Sequence, residues 1–179
     1  MRGRLTIGLY NSYDPTRFRE AHRRALARAG PLALAFDANL VTFGFPFPEE
    51  IRLPTELAEW VADSTSIGRD GGHLRELSAS GRFQSFPLPG RGLPPQLGEP
   101  VLTTSRPDAA LEVKLEELAE QLRSGRSLLL LFGLGPHGLP RKAAAIPKLH
   151  LDVSGAGISL ETCTALGAVT GALGTLARQ

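Results

Sequence analysis

Ser127-Leu-Leu-Leu-Leu-Phe132 runs directly into Gly133-Leu-Gly-Pro-His-Gly-Leu-Pro140, and this junction decides the fold. An unbroken apolar run of strand length has both faces covered, which is the condition of a central strand in a parallel sheet. The glycines and prolines that follow mark where the chain leaves that sheet. The same alternation spreads outward from it. Upstream, Val101-Leu-Thr-Thr-Ser reads as a strand, and Glu112–Arg123 is the clearest amphipathic helix, stopped at Ser124-Gly125. Downstream come a short Ala-rich helix near Lys142–Ala145, a strand Leu149–Val153, a second glycine turn and a final helix from Leu160 to Ala177. Strands that alternate with helices predict an α/β fold with a mostly parallel sheet.

The N-terminal half follows the same rule with heavier punctuation. Leu5–Tyr10 predicts a buried strand that ends at Asn-Ser-Tyr-Asp-Pro-Thr, where Asp14 can cap and Pro15 can open a helix. That helix is expected from Pro15 to Ala29, stopping at Gly30-Pro31, with Leu32–Phe36 as a second strand. The stretch 37–54 reads as loop and carries Phe43, Phe45 and Phe47; Pro54 then opens a helix with Leu57, Trp60 and Val61 on one face. Residues 66–98 are crowded with Gly and Pro, leaving a short helix near His73–Ser80 and a strand near Phe83–Leu88. The whole of 1–179 is expected to be a single domain, with 66–98 as a punctuated segment of the functional or mobile kind.

Composition excludes several classes. A chain with 42% hydrophobic and 21% charged residues has enough apolar material for a packed core, unlike disordered chains. Nowhere do eighteen apolar residues run together, so no membrane span is expected. The N-terminus reaches Asn11 too soon for a signal peptide, and the single Cys163 can form neither an internal disulfide nor a cysteine-based metal site. A reducing cytoplasm and no metal are the expectation. Charge is unevenly spread: residues 1–30 carry seven Arg and two acids (+5), residues 31–122 seven bases and fourteen acids (−7), and residues 123–179 six bases and two acids (+4). Seventeen of the twenty bases are Arg, suited to bidentate phosphate contact, which keeps nucleic acid in view as a partner.

Ligands of open parallel sheets bind where loops leave the carboxyl ends of strands. Three such loops are rich in small or polar residues: Thr103-Thr-Ser-Arg106, Gly133–Pro140 and Ser154-Gly-Ala-Gly-Ile-Ser159. Gly133-x-Gly135-x-x-Gly138 imitates a dinucleotide fingerprint, but Pro136 removes a donor and only thirteen residues separate Gly135 from Lys148. A dinucleotide site needs a longer helix and a later acid, so that reading is rejected.

Taken together, the runs at 130–140, 149–155 and 158–165 resemble the SPOUT superfamily of knotted methyltransferases. The resemblance covers roughly residues 5–36 and 100–177, and the closest likeness is to an uncharacterised archaeal group of that superfamily. It implies a C-terminal deep trefoil knot and S-adenosylmethionine held by three loops. The matching positions are Thr103 and Thr104, then Gly133 and Gly138, then Leu151, Gly155, Ser159 and Leu160. The ribose-methylating branch opens with a strand, an Asn-bearing turn and a functional Arg six residues before a Gly. Asn11 and Arg24, the latter six residues before Gly30, correspond here. Two positions depart: Gly135 stands where that branch has Glu, and Glu161 where it has Asn.

The resemblance therefore implies methyl transfer to a nucleotide of structured RNA, tRNA or rRNA. Arg24, Glu161 and His137 are the catalytic candidates, and Asn11, Arg23 and Arg24 the contacts to substrate. A non-catalytic RNA- or nucleotide-binding module that keeps the knot is the alternative, supported by the missing Glu at 135. Each residue also has a plainer role. Arg24 can solvate a helix face, Glu161 can complement a helix dipole, His137 can sit on the surface, and Cys163 can pack. Phe43, Phe45 and Phe47 can plug a core or a dimer contact rather than stack bases. The final helix is apolar around most of its circumference, which predicts a homodimer that covers it.

Overall fold

A computed structural model describes residues 1–63 and 71–179, so the start of the 66–98 segment, up to residue 70, lies outside the described residues. The strands are β1 (Leu5–Tyr10), β2 (Asn39–Phe43), β3 (Phe83–Phe86), β4 (Glu99–Thr103), β5 (Leu128–Gly133) and β6 (Leu149–Leu151). They form one sheet among the described residues, ordered β3-β2-β1-β5-β4-β6, with every neighbouring pair parallel. The helices are α1 (Glu20–Ala35), α2 (Pro54–Ala62), α3 (Gly71–Ala79), α4 (Leu115–Arg123), α5 (Arg141–Ala144) and α6 (Thr162–Leu176).

The apolar run of β5 is read correctly as a strand covered on both faces. Leu128, Leu130 and Phe132 enter a large core shared with residues of α1, α2, α3, α4 and α6. Leu129 and Leu131 point the other way, into a smaller core with Tyr10, Val41, Phe43 and Ala143. Side chains alternate across a strand, so a strand between two cores must be apolar at every position. Each such buried Leu stabilises the fold by about 1.5–3 kcal/mol.

α1 departs from expectation at both ends. It begins at Glu20 rather than Pro15, because Asp14 instead closes the preceding turn: its Oδ1 accepts the N–H groups of Thr16 (2.9 Å) and Arg17 (3.0 Å). It also runs through Gly30-Pro31 to Ala35, so Leu32–Ala35 is helix with Phe36 as its C-cap, and the second strand is Asn39–Phe43. A proline inside a helix loses one hydrogen bond and crowds the carbonyl four residues back, at a cost of about 3 kcal/mol. Here the packing overrides it: Ala29 and Ala33 are fully buried, and α3 lies so close that a Cβ at Gly30 would sit 3.4 Å from His73 Cβ.

The final helix is covered by its own chain along much of its length. α6 packs on α1 and α4, and the Phe36 ring fills the space beside Gly174, where any Cβ would overlap it. Arg123 donates to the Leu176 carbonyl at 2.8 Å, tying α4 to the end of α6. The phenylalanines serve as core plugs, Phe43 in the smaller core across the sheet and Phe45 and Phe47 at the opposite end of α1. Phe43 is fully buried, and Phe45 and Phe47 pack with Phe18 and, at 5.0 Å from Phe45, with His22. Trp60 closes this cluster at 4.9 Å from Phe18.

Candidate functional site

Because all strands are parallel, the loops leaving β4, β5 and β6 emerge along one edge of the sheet. Between them lies a cleft of ≈ 430 Å³. Thr103–Arg106 form one wall, Gly133 with Gly135–Leu139 a second, and Asp152, Val153 and Ile158–Leu160 the third. Phe132, Leu151, Ala165 and Val169 make its apolar floor.

Each loop is held by contacts that its sequence makes necessary. In the first, Thr103 Oγ1 donates to the Leu131 carbonyl at 2.6 Å and the Thr104 N–H to the Leu151 carbonyl at 3.0 Å. The Arg106 N–H donates back to Thr104 Oγ1 at 3.1 Å. In the second, Gly133 is obligatory, since a Cβ there would strike the Gly138 backbone; its carbonyl accepts from Thr162 Oγ1 at 3.0 Å, pinning the start of α6. Gly138 has φ +69° with open space where a side chain would project. Gly135 is buried against the loop that follows β1: its N–H donates to Ser12 Oγ at 2.9 Å, and a Cβ would overlap the Ser12 carbonyl.

The third loop is wrapped around one carboxylate. Asp152 Oδ1 accepts from the Ser154 N–H (2.9 Å) and Ser154 Oγ (2.7 Å), and Oδ2 accepts from the Gly157 N–H (2.8 Å). Burial pushes this carboxyl up, but the hydrogen bonds together outweigh it and hold it below its ordinary range.

Of the residues expected to hold a cofactor, Thr103, Thr104, Gly133, Gly138, Leu151, Ser159 and Leu160 all line the cleft. Gly155 does not; it sits in the Asp152 turn at φ +61°. His137 lines the cleft and is exposed. Glu161, Arg24, Arg23 and Asn11 are not among its lining residues. Glu161 caps α6, its Oε2 accepting from the N–H groups of Cys163 (2.9 Å) and Thr164 (3.2 Å). Arg24 is exposed on α1, close enough to Cys163 for its charge to act there. Burial first, then Glu161, push the Cys163 thiol up against the pull of Arg24 and Arg28, which suits packing and not a thiolate. Arg23 lies 5.2 Å above the Phe18 ring.

Asn11 is committed internally. Its amide nitrogen donates to the carbonyls of Asp14 and Gly44, both at 2.8 Å. Its Oδ1 accepts the Tyr13 N–H at 3.2 Å and lies 3.0 Å from His22 Nε2. Because His22 Nδ1 accepts the Arg19 N–H at 2.9 Å, the ring proton belongs on Nε2 and is donated to Asn11. Sequence reasoning missed Ser12, Arg106, Asp152 and Thr162. Only Asp152 had a readable signal, the Asp-x-Ser-Gly run of a side-chain-closed turn. Among the described residues, no three His, Cys, Asp or Glu gather as a metal site, and no helix is long and apolar enough to cross a membrane.

Comparison with known proteins supplies context. Residues 5–174 match the family described as protein of unknown function (DUF531). The uncharacterized protein MJ0224 of Methanocaldococcus jannaschii is 40% identical over 166 residues, 93% of this chain and 90% of its own. The SpoU methyltransferase AviRb from Streptomyces viridochromogenes superposes with TM-score 0.62 at 16% identity, over 99% of this chain and 61% of its own; it has also been solved in complex with the cofactor AdoMet. A probable methyltransferase from Bordetella pertussis Tohama I gives TM-score 0.60 at 13% identity, over 98% of this chain and 96% of its own. Likeness at such identities is likeness of fold: the six-stranded parallel α/β architecture is one that this chain shares with AviRb.

Proposed function

Since the chain belongs to the DUF531 family, we propose from its cleft that it binds S-adenosylmethionine and methylates a nucleotide of structured RNA, tRNA or rRNA. The observation that carries this reading is the convergence of three strand-end loops on one cleft of ≈ 430 Å³. Its volume suits a nucleoside-sized ligand, its floor is apolar, and at Gly138 it leaves open the space a side chain would fill. The AdoMet complex of AviRb, a protein of the same fold, adds support.

Thr103, Thr104, Gly133, Gly138, Leu151, Ser159 and Leu160 would hold the cofactor, with Gly155 shaping the third loop. When bound, S-adenosylmethionine supplies a methyl group on a positively charged sulfur. Phe132, Leu151 and Val169 keep water from the floor of the cleft. His137 is the group in the lining suited to take a proton from the nucleotide's acceptor atom. Arg24, with Arg23 beside it and the Asn11 loop ahead of it, offers cationic contact to RNA phosphate.

Two further parts of the reading follow from the resemblance. The C-terminal segment threads as a trefoil knot, and two copies pair through α6 so that Arg24 serves the neighbouring cleft. Sedimentation at micromolar concentration tests the pairing, since a species of single-chain mass would exclude it.

One observation favours the second reading, a non-catalytic binder of RNA or of a nucleotide-like metabolite. Glu161 is occupied as a cap and position 135 has no room for a side chain, the two places where the ribose-methylating branch keeps functional groups. Calorimetric titration with S-adenosylmethionine and S-adenosylhomocysteine, followed by transfer of labelled methyl to total RNA, decides. Binding with transfer supports the enzyme, binding without transfer selects the binder, and no binding overturns the cofactor.

A further inference from the structure

Three of the side chains that line the cleft can carry charge: Arg106, His137 and Asp152. The Asp152 carboxylate is consumed by its own loop, with Oδ1 on Ser154 and Oδ2 on the Gly157 N–H at 2.8 Å. Its oxygens bond only groups of its own loop, and it forms no ion pair with Arg106. Arg106 is held in place through its backbone, whose N–H donates to Thr104 Oγ1 at 3.1 Å. Among the described residues its guanidinium has neither an ion pair nor a side-chain hydrogen bond. The nearest acid in sequence, Asp108, turns Oδ1 to the Ala110 N–H at 2.9 Å. A guanidinium is charged at every working pH and binds carboxylates through a planar fork. A cleft lined by such a group, with no protein carboxylate paired to it, is complementary to a ligand that brings its own anion.

We propose that Arg106 receives the carboxylate of the ligand's amino-acid end, and so makes the cleft prefer S-adenosyl amino acids to the neutral nucleosides derived from them. The inference rests on the cofactor reading above and deepens it by naming the residue that reads the ligand's charge. No position matched through the SPOUT resemblance includes Arg106.

Calorimetry with two ligands tests it: S-adenosylhomocysteine, which carries the carboxylate, and 5′-methylthioadenosine, which lacks it. The wild-type protein should bind the first about tenfold or more tightly than the second. Arg106→Gln should lower affinity for S-adenosylhomocysteine by a similar factor and leave 5′-methylthioadenosine within twofold. Arg106→Lys, which keeps the charge but loses the fork, should fall between. Equal wild-type affinities, or a preference unchanged in Arg106→Gln, overturn the role of Arg106 while the cofactor reading stands. That second outcome would assign the arginine to substrate phosphate instead. Failure of the wild-type protein to bind either ligand overturns both.

Discussion

Ser12 Oγ accepts the Gly135 N–H at 2.9 Å, joining the loop after β1 to the second wall of the cleft across 123 residues of sequence. The contact is close on both sides, since a Cβ on Gly135 would overlap the Ser12 carbonyl. The wall's geometry is therefore set by a loop that does not itself line the cleft. Ser12→Ala should weaken S-adenosylhomocysteine binding by about three- to tenfold, the worth of one hydrogen bond. Gly135→Glu, which restores the acid of the ribose-methylating branch, should cost more, because the wall must move to admit it. Calorimetry on the folded variants measures both.

Glu161 separates two roles cleanly. As the cap of α6 it satisfies two backbone N–H groups, so Glu161→Ala should lower stability by about 1 kcal/mol. Its carboxylate is not in the cleft lining, so cofactor affinity should stay within twofold. Urea unfolding and calorimetry on one preparation would show the split; a loss of affinity without loss of stability would reverse the assignment.

His22 should make the fold acid-sensitive. The ring is fully buried, and burial chiefly holds its pKa below the ordinary histidine value, against the opposing pull of Asp14. A depressed folded pKa means that the unfolded chain binds the proton first. The stability that neutral His22 contributes is thus complete above about pH 6.5 and is lost as pH falls through that value toward the folded pKa. Urea midpoints should drop between pH 7.5 and 5.5 in the wild-type protein and drop less in His22→Gln, which cannot titrate.

Gly174 tests how α6 is covered. Glycine to alanine inside a helix ordinarily gains up to about 1 kcal/mol. Here the added Cβ meets the Phe36 ring, so Gly174→Ala should instead destabilise by about 1–3 kcal/mol. In a Phe36→Ala background the same change should become neutral or favourable, a coupling that a double-mutant cycle reads directly.

Much of the candidate site is legible from local chemistry. Gly133 and Gly138 lie next to an unmistakable strand, and the parallel sheet implied by that strand already says that its loops meet others at one edge. Thr103, Leu151, Ser159 and Leu160 follow for the same reason. Asn11, Glu161 and Arg24 are different. Their residue types suit both a substrate contact and a structural hydrogen bond, and only the partners discriminate. Asn11 turns out to hold Asp14, Gly44, Tyr13 and His22 together, and Glu161 to cap its own helix.

By itself, the sequence determined the parallel α/β plan, the doubly buried β5 and the three loops on one edge, because side-chain alternation, apolar runs and glycine turns act between near neighbours. The tertiary structure alone decided that α1 continues through Gly30-Pro31, that Phe36 lies on Gly174, and that Ser12 braces Gly135. Each of those outcomes rests on a contact between segments distant in the chain, where packing outweighs a local preference of about 1–3 kcal/mol for helix end or turn. Such a contact has no period to read; it exists once the sheet has brought the two segments together.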